Sequence, residues 1–417
     1  MRLARGISVA TAMALLPLTL LVGAAEAGPA SGGDSSSARQ PAGQRLRTEL
    51  VEPRGNRSSR AAMRAGRLKC GDVITRSTTL VADIGPCPGD GIIVGADNIT
   101  LNLNGHMVFG TDDVGAFAGI RLPGRMGVTI TGHPGNSGKT GTVTGFDAGI
   151  VVRGGSSNVL THLVIRDNVG PTDERAAQLG DGIYIQDSPN NSIFGNVLTR
   201  NGRFDGIGVF GVTSSGTTIQ GNEITDTIGF ERDEDGFILM VQGHGVSISG
   251  APEGGLPRPL TFSRENSVIG NWIEGNGGGG VETVLTQDGI IAGNTVNSNG
   301  AGIGLGSVVP QGRGYFEPTR MLIEQNVVTG HGSDGIYVGT QQNRILNNVS
   351  TGNALDGDGR FDLHDGNVDP VSLEATCDDN VWFGNIWGPF PGTSLGSYNT
   401  ECVTTGGSGP RPSYFQP

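Results

Sequence analysis

The feature that most constrains the fold is a repeat built around asparagine. An alternating apolar segment, a Gly-Asn or Asn, a short apolar pair, a second Asn and another alternating segment recur along the chain. Examples are NSIFGNVLTRNGRFDGIGVFG, NSVIGNWIEGNGGGGVETVL, DGIIAGNTVNSNGAGIGLG and RMLIEQNVVTGHGSDGIYVG. The first Asn of the unit falls at 196, 222, 271, 294, 326 and 348. Asn271 to Asn294 is 23 residues and Asn326 to Asn348 is 22; longer steps hold one coil plus an insertion, or two coils. A unit this short cannot bury an apolar face alone, so successive units must stack. Leucine-rich repeats have a similar period of about 20–29 residues, but their Leu-rich consensus is missing. Gly at the corners tolerates left-handed backbone, and buried Asn can bond the backbone of neighbouring coils. The expectation is an all-β chain wound as a parallel β-helix over residues 68–403, in about ten or eleven coils. Its 73 Gly among 417 residues suit a fold made of tight turns.

The ends read differently. Arg2 and Arg5, an apolar stretch from Ile7 to Val22 and the small-x-small run Ala25-Glu26-Ala27 predict a secretory signal peptide over residues 1–27. The stretch is short and contains Pro17, which disfavours a membrane anchor. Residues 28–67, rich in Ser, Gly and Arg, predict a disordered linker, and 404–417 a flexible tail. The chain is therefore expected to be secreted, extracellular or cell-wall associated, without membrane insertion after signal removal, and monomeric. Its net charge of −12 argues against nucleic acid, which is bound through Lys and Arg. Cys70 lies near Cys87 and Cys377 near Cys402. In an exported chain these predict two disulfides at the ends of the solenoid, although four cysteines permit three pairings.

The segment CGDVITRSTTLVADIGPCPGDGIIVGADNITLNLNGHMVFG resembles the amino-terminal part of secreted bacterial right-handed parallel β-helix repeat proteins of the pectate-lyase-like superfamily. The runs FDLHDGN and CDDNVWFGN resemble their closing coils. The resemblance implies a single-stranded right-handed parallel β-helix. It leaves chemistry open, because the superfamily holds lyases, polygalacturonases, epimerases and tailspike enzymes.

Chemistry must come from the coil surface. Alternation predicts an outward row through Arg121, Val151, Tyr184, Gly208, Ile238, Glu282, Gly304, Tyr337 and Asp362. A corner row, Asp147, Asp181, Asp205, Asp235 and Asp334, precedes it; turn-capping is the bland explanation of each. Insertions at 169–180, 228–235, 250–265 and 307–319 would wall this face into a groove. A groove with carboxylates and exposed Tyr suits an extracellular polysaccharide or cell-wall polymer. Candidate catalytic residues are Asp235, Asp205, Asp233, Glu231, Glu282 and His244, and candidate substrate-binding residues are Tyr184, Tyr337, Arg203, Arg232 and Asp181. Paired carboxylates suit glycoside hydrolysis, which is expected ahead of lyase or epimerase chemistry. No cofactor is firmly indicated, though the carboxylates could hold Ca²⁺.

Gly243-His244-Gly245 followed by Val-Ser-Ile matches a polygalacturonase element locally, but His244 stands only nine residues after Asp235, too few for a coil. A second Gly-His-Gly puts His331 in the slot held by Asn201, Asn276, Asn299 and Asn353 in other coils, so His331 reads as a corner residue. Trp272, Trp382 and Trp387 are expected to pack at coil ends. Two classes of function remain: a secreted carbohydrate-active enzyme, and a non-catalytic polymer-binding solenoid.

Overall fold

The computed structural model describes residues 67–111, 117–133, 138–170, 180–232, 238–241, 243–250, 261–306, 319–356, 361–367, 376–388, 397–398 and 402–403. The expected signal peptide, the expected linker up to residue 66, the expected C-terminal tail, Asp233 and Asp235 lie outside them, as do the side chains of residues 230–242.

Each turn of the chain lays down three short strands and then repeats. Ile183–Gln186, Ser192–Phe194 and Val197–Thr199 form one coil, and Ile207–Phe210, Thr218–Gln220 and Glu223–Thr225 the next. Stacking makes three long sheets among the described residues, of 12, 11 and 10 strands, each ordered as in the sequence, beside two two-stranded ones. The pairing is parallel throughout these sheets. The 10-stranded third sheet gives ten coils with a strand in every sheet, as the repeat predicts.

Period-2 alternation sends one aliphatic side chain inward from each short strand. In the second sheet Ile193, Ile219, Val268, Ile291, Ile323 and Ile345 are in register, each 1% exposed or less. Each such burial contributes about 1.5–3 kcal/mol. The core is thus a column.

Corner chemistry explains the Gly-Asn repeat. Gly195, Gly221, Gly270 and Gly293 all have φ near +60° (59 to 63), a conformation that costs a side-chain-bearing residue energy. The Asn that follows each is buried and builds a ladder. The backbone N–H and Nδ2–H of Asn222 both donate to Oδ1 of Asn271, at 2.9 and 3.0 Å, and Nδ2 also donates to the Ile193 carbonyl at 3.0 Å. Asn222 and Asn271 are therefore in adjacent coils although 49 residues apart, so that step is one coil plus insertions.

A second ladder runs through Asn276, Asn299, His331 and Asn353. Asn299 N–H donates to His331 Nδ1 at 3.0 Å, and His331 N–H donates to Asn353 Oδ1 at 3.3 Å. His331 is fully buried, as its slot in the repeat predicts. A third ladder, not anticipated from the repeat, includes Asn158 with Asn191 and Asn343 with Asn380.

Disulfides Cys70–Cys87 and Cys377–Cys402 close the first and last coils. Trp382 is buried at the carboxy-terminal end, where its indole N–H donates to Asp365 at 2.9 Å. Trp387 also packs against the core, but Trp272 does not: it stands 47% exposed in mid-helix.

Two members of the expected outward row are corrected. Ile238–Val241 is not a coil strand; it pairs antiparallel with Phe230–Arg232. The first sheet continues instead through Val246–Ser249, which puts Ser247 in the outward row between Gly208 and Glu282. At the far end His364, not Asp362, lies beside Tyr337.

Candidate active site on the outer face of the first sheet

Register brings four polar side chains together midway along the first sheet. Ile207 pairs with Val246, so His244 occupies in its coil the corner that Asp205 occupies in the preceding one. The His244 N–H donates to Asp205 Oδ1 at 3.2 Å, and the Gly206 N–H donates to the His244 carbonyl at 2.8 Å. The Ser247 side chain also hydrogen-bonds Asp205. Glu282 is in register with Ser247 one coil further on.

Small residues leave room for these groups. A Cβ on Gly306 would stand 2.9 Å from Glu282 Oε1, and one on Gly304 would collide with Oε2. The Glu282 carboxyl therefore lies across the bare backbone of the next coil. Two coils back, a Cβ on Gly208 would come 2.6 Å from Asp181 Oδ1. Glycine here serves as a shelf for carboxyl groups, a different use from its corner role.

The electrostatics follow from the crowding. Asp205 is 2% exposed, and burial pushes its carboxyl up to about 8, with the nearby Glu282 adding to the rise and the bonds from His244 and Ser247 opposing it. Desolvation raises Glu282 to about 7. Burial lowers His244 to about 4, so its ring is neutral at pH 7. The Gly279 N–H donates to His244 Nδ1 at 2.8 Å, which leaves the ring proton on Nε2. His244 is therefore a neutral hydrogen-bond donor at this site. Both carboxyls are held above the ordinary carboxylate range, so the pair can hold and exchange a proton near neutral pH.

The other candidates divide. Asp181 is in the Asp205 corner row one coil earlier and is 1% exposed, and Arg203 is half-buried two residues before Asp205. Tyr184 points outward as expected but is only 3% exposed: Phe210 packs at 5.4 Å between ring centroids, and the Arg153 guanidinium lies over the ring at 5.3 Å. It is covered by its neighbours, so the exposed Tyr expected there is not found. Tyr337 is half-buried and meets the His364 ring edge-on at 5.0 Å, while His364 Nδ1 lies 3.1 Å from Asp334 Oδ1. The Asp334 carboxylate also accepts the Phe361 N–H, and Asp147 accepts the Phe117 N–H, so the corner row does cap backbone as the bland explanation has it. Glu231 and Arg232 belong to the antiparallel arm, and their side chains, like Asp233 and Asp235, lie outside the described residues. The carboxylate one coil before His244 is thus Asp205. Ser247 was not among the expected site residues, and His364, expected to be a structural residue of the closing coils, meets Tyr337 and Asp334 there. Among the described residues no three carboxylate, imidazole or thiolate groups converge as metal ligands.

The family model for a right-handed β-helix region matches residues 87–252. The described residues fold as a right-handed parallel β-helix. The match spans Asp181, Asp205 and His244 and ends before Glu282. No curated protein matches this β-helix protein in sequence. Solved structures similar to it include the periplasmic alginate epimerase AlgG, 12% identical with a TM-score of 0.41, covering 69% of this chain and 72% of that one. ORF18 of Geobacillus virus E2 is also 12% identical, with a TM-score of 0.44, and the alignment covers 78% of this chain and 55% of that one. A double mutant of the tailspike protein of E. coli bacteriophage HK620, in complex with pentasaccharide, is 12% identical with a TM-score of 0.45, covering 77% and 55%. At such distance the β-helix protein's chemistry rests on its own residues.

Proposed function

We propose that this β-helix protein is a glycoside hydrolase that cleaves an extracellular polysaccharide on the outer face of its first sheet. The observation that carries the reading is the meeting of Asp205, His244, Ser247 and Glu282 on one face, over strands stripped of side chains at Gly304 and Gly306. Two disulfides fit the oxidising compartment in which such a polymer is met.

Asp205, held protonated near neutral pH, gives its proton to the glycosidic oxygen as the bond to the anomeric carbon breaks. Ionised Glu282 takes a proton from the water whose oxygen bonds to that carbon. Two coil steps of about 4.8 Å separate their strands, and the spacing of the two carboxyls decides between inversion and retention at the anomeric carbon. The His244 Nε2–H donates to a sugar oxygen, and Ser247 orients Asp205.

The test is release of reducing ends from a panel of neutral and acidic polysaccharides. Wild type is expected to act on at least one, and Asp205→Asn and Glu282→Gln to lose that activity while unfolding no more readily. An unsaturated uronate product would replace hydrolysis with lyase chemistry. Binding of a polymer without cleavage would favour the non-catalytic solenoid.

A further inference from the structure

The outer face of the third sheet, a different sheet from that of the acid/base cluster, carries a second arrangement built around Trp272. Glu223, Trp272, Thr295 and Val327 are in register along one outward row. Thr225, Glu274, Asn297 and Thr329 form the parallel row beside it. Trp272 is 47% exposed on the seventh of the ten strands of this sheet rather than at an end, and Val327, two coils further on, is 42% exposed. An exposed aromatic at a coil end would be a cap; here it needs another explanation.

The indole is clamped. Its Nε1–H donates to Glu274 Oε2 at 2.9 Å, and the other carboxylate oxygen accepts from Asn297 Nδ2 at 2.7 Å. Asn297 Oδ1 in turn accepts from Thr329 Oγ1 at 3.1 Å, so the network crosses three coils. The aromatic is thereby held in one orientation by polar neighbours on a flat sheet. A protein-binding patch would surround its aromatic with apolar residues and exclude charge from its centre. Here carboxylate, amide and hydroxyl groups border the ring on the sheet, an arrangement that matches a pyranose ring: an apolar C–H face to lie on the indole and a rim of hydroxyls for the flanking groups. Glu223 and Glu274 set the charge of the ligand, because a uronate carboxylate laid beside them would be repelled.

We propose that the third-sheet face around Trp272 is a second, non-catalytic binding surface for a neutral hexopyranose polymer. It stands independently of the first-sheet cluster and would hold a polymer chain against the solenoid whether or not that cluster cleaves it. Rigid clamping lowers the ordering cost of binding, since the indole is already in place.

Native affinity electrophoresis of the full chain tests this, with hydroxyethyl cellulose, galactomannan or polygalacturonate in the gel. At least one neutral polymer is expected to retard wild type, and Trp272→Ala to weaken that binding about tenfold, as for an aromatic anchor at an interface. Trp272 is exposed, so the variant should fold; equal thermal unfolding of the two proteins checks this. Asn297→Ala, which frees Glu274, is expected to weaken binding by a smaller factor. The Trp272→Ala loss should persist in the Glu282→Gln background, which separates it from failure or success of the hydrolase reading. Unchanged retardation of Trp272→Ala, loss of polygalacturonate binding alone, no retardation by any polymer, or a wild-type dimer that Trp272→Ala dissociates would each overturn the proposal.

Discussion

Two rows of buried polar groups run along this solenoid and behave in opposite ways. In the corner ladder every Asn is neutral and finds its partners in the next coil, Asn222 on Asn271 and Asn271 on Asn294. On the first-sheet face, Asp205 and Glu282 are crowded ionisable groups whose carboxyls burial pushes up to about 8 and about 7. The ladder stabilises because each amide exchanges water for a complete set of hydrogen bonds. The carboxyl cluster is instead a group of ionisable side chains kept out of water, whose charged forms burial disfavours at a cost to stability. Polar burial alone therefore does not mark a candidate site; polar burial with displaced acidity is the stronger signal.

The comparison can be broken from either side. Expected to be largest is the loss of turnover in Asp205→Asn or Glu282→Gln, about 10²- to 10⁴-fold in kcat, the usual range for acid/base groups. Next comes Asn271→Ala, which strips Oδ1 from the two Asn222 donors and a donor from the Ile219 carbonyl. Denaturant unfolding should show a loss of about 3 kcal/mol, with unchanged rate per folded molecule.

A smaller effect concerns pH. Glu282 rises from 4.5 to about 7 on folding, so the native state binds the extra proton across that interval and stability falls as pH rises through it. Glu282→Gln should match wild type in unfolding temperature below pH 4.5, gain on it progressively, and hold a constant advantage above pH 7. Smallest is His331→Asn. The ring's Nδ1 accepts from Asn299 and its Nε2 lies 3.2 Å from the Val296 carbonyl, the two bonds that an Asn makes in neighbouring coils. The substitution should change stability at pH 7 by no more than about 1 kcal/mol. Because His331 falls from 6.5 to about 4, wild type loses stability as pH drops through that window, and His331→Asn should lose less.

The fold was legible because its signals are local. A left-handed corner followed by a buried Asn leaves the same letters in coil after coil, and even the exchange at His331 could be read from its slot. The site was half-legible. Asp205, His244 and Glu282 could be named, but their neighbours could not, because Asp235-Gly236-Phe237-Ile238 imitates the corners at Asp181-Gly182-Ile183 and Asp205-Gly206-Ile207. Both Ile238–Val241 and Val246–Ser249 satisfy alternation, and only pairing distinguishes an antiparallel arm from a coil strand. The missed clue was Gly245-Val246-Ser247-Ile248, the same Gly-aliphatic-x-aliphatic pattern with His244 in the Asp slot. Alternation also gives direction without coverage, so it placed Tyr184 outward and could not show Phe210 and Arg153 closing over it. Nor does it show whether a Trp in mid-helix is buried, which depends on what the neighbouring coils put beside it.

The central claim is that Asp205 and Glu282 work as an acid/base pair at displaced acidities, and the pH dependence of kcat/KM on a cleaved polysaccharide tests it most directly. A bell is expected, rising through about 7 as Glu282 ionises and falling above about 8 as Asp205 loses its proton, with the rising limb removed along with most of the rate in Glu282→Gln. A profile that is flat, or that rises near the ordinary carboxylate range and survives Glu282→Gln, would contradict the account.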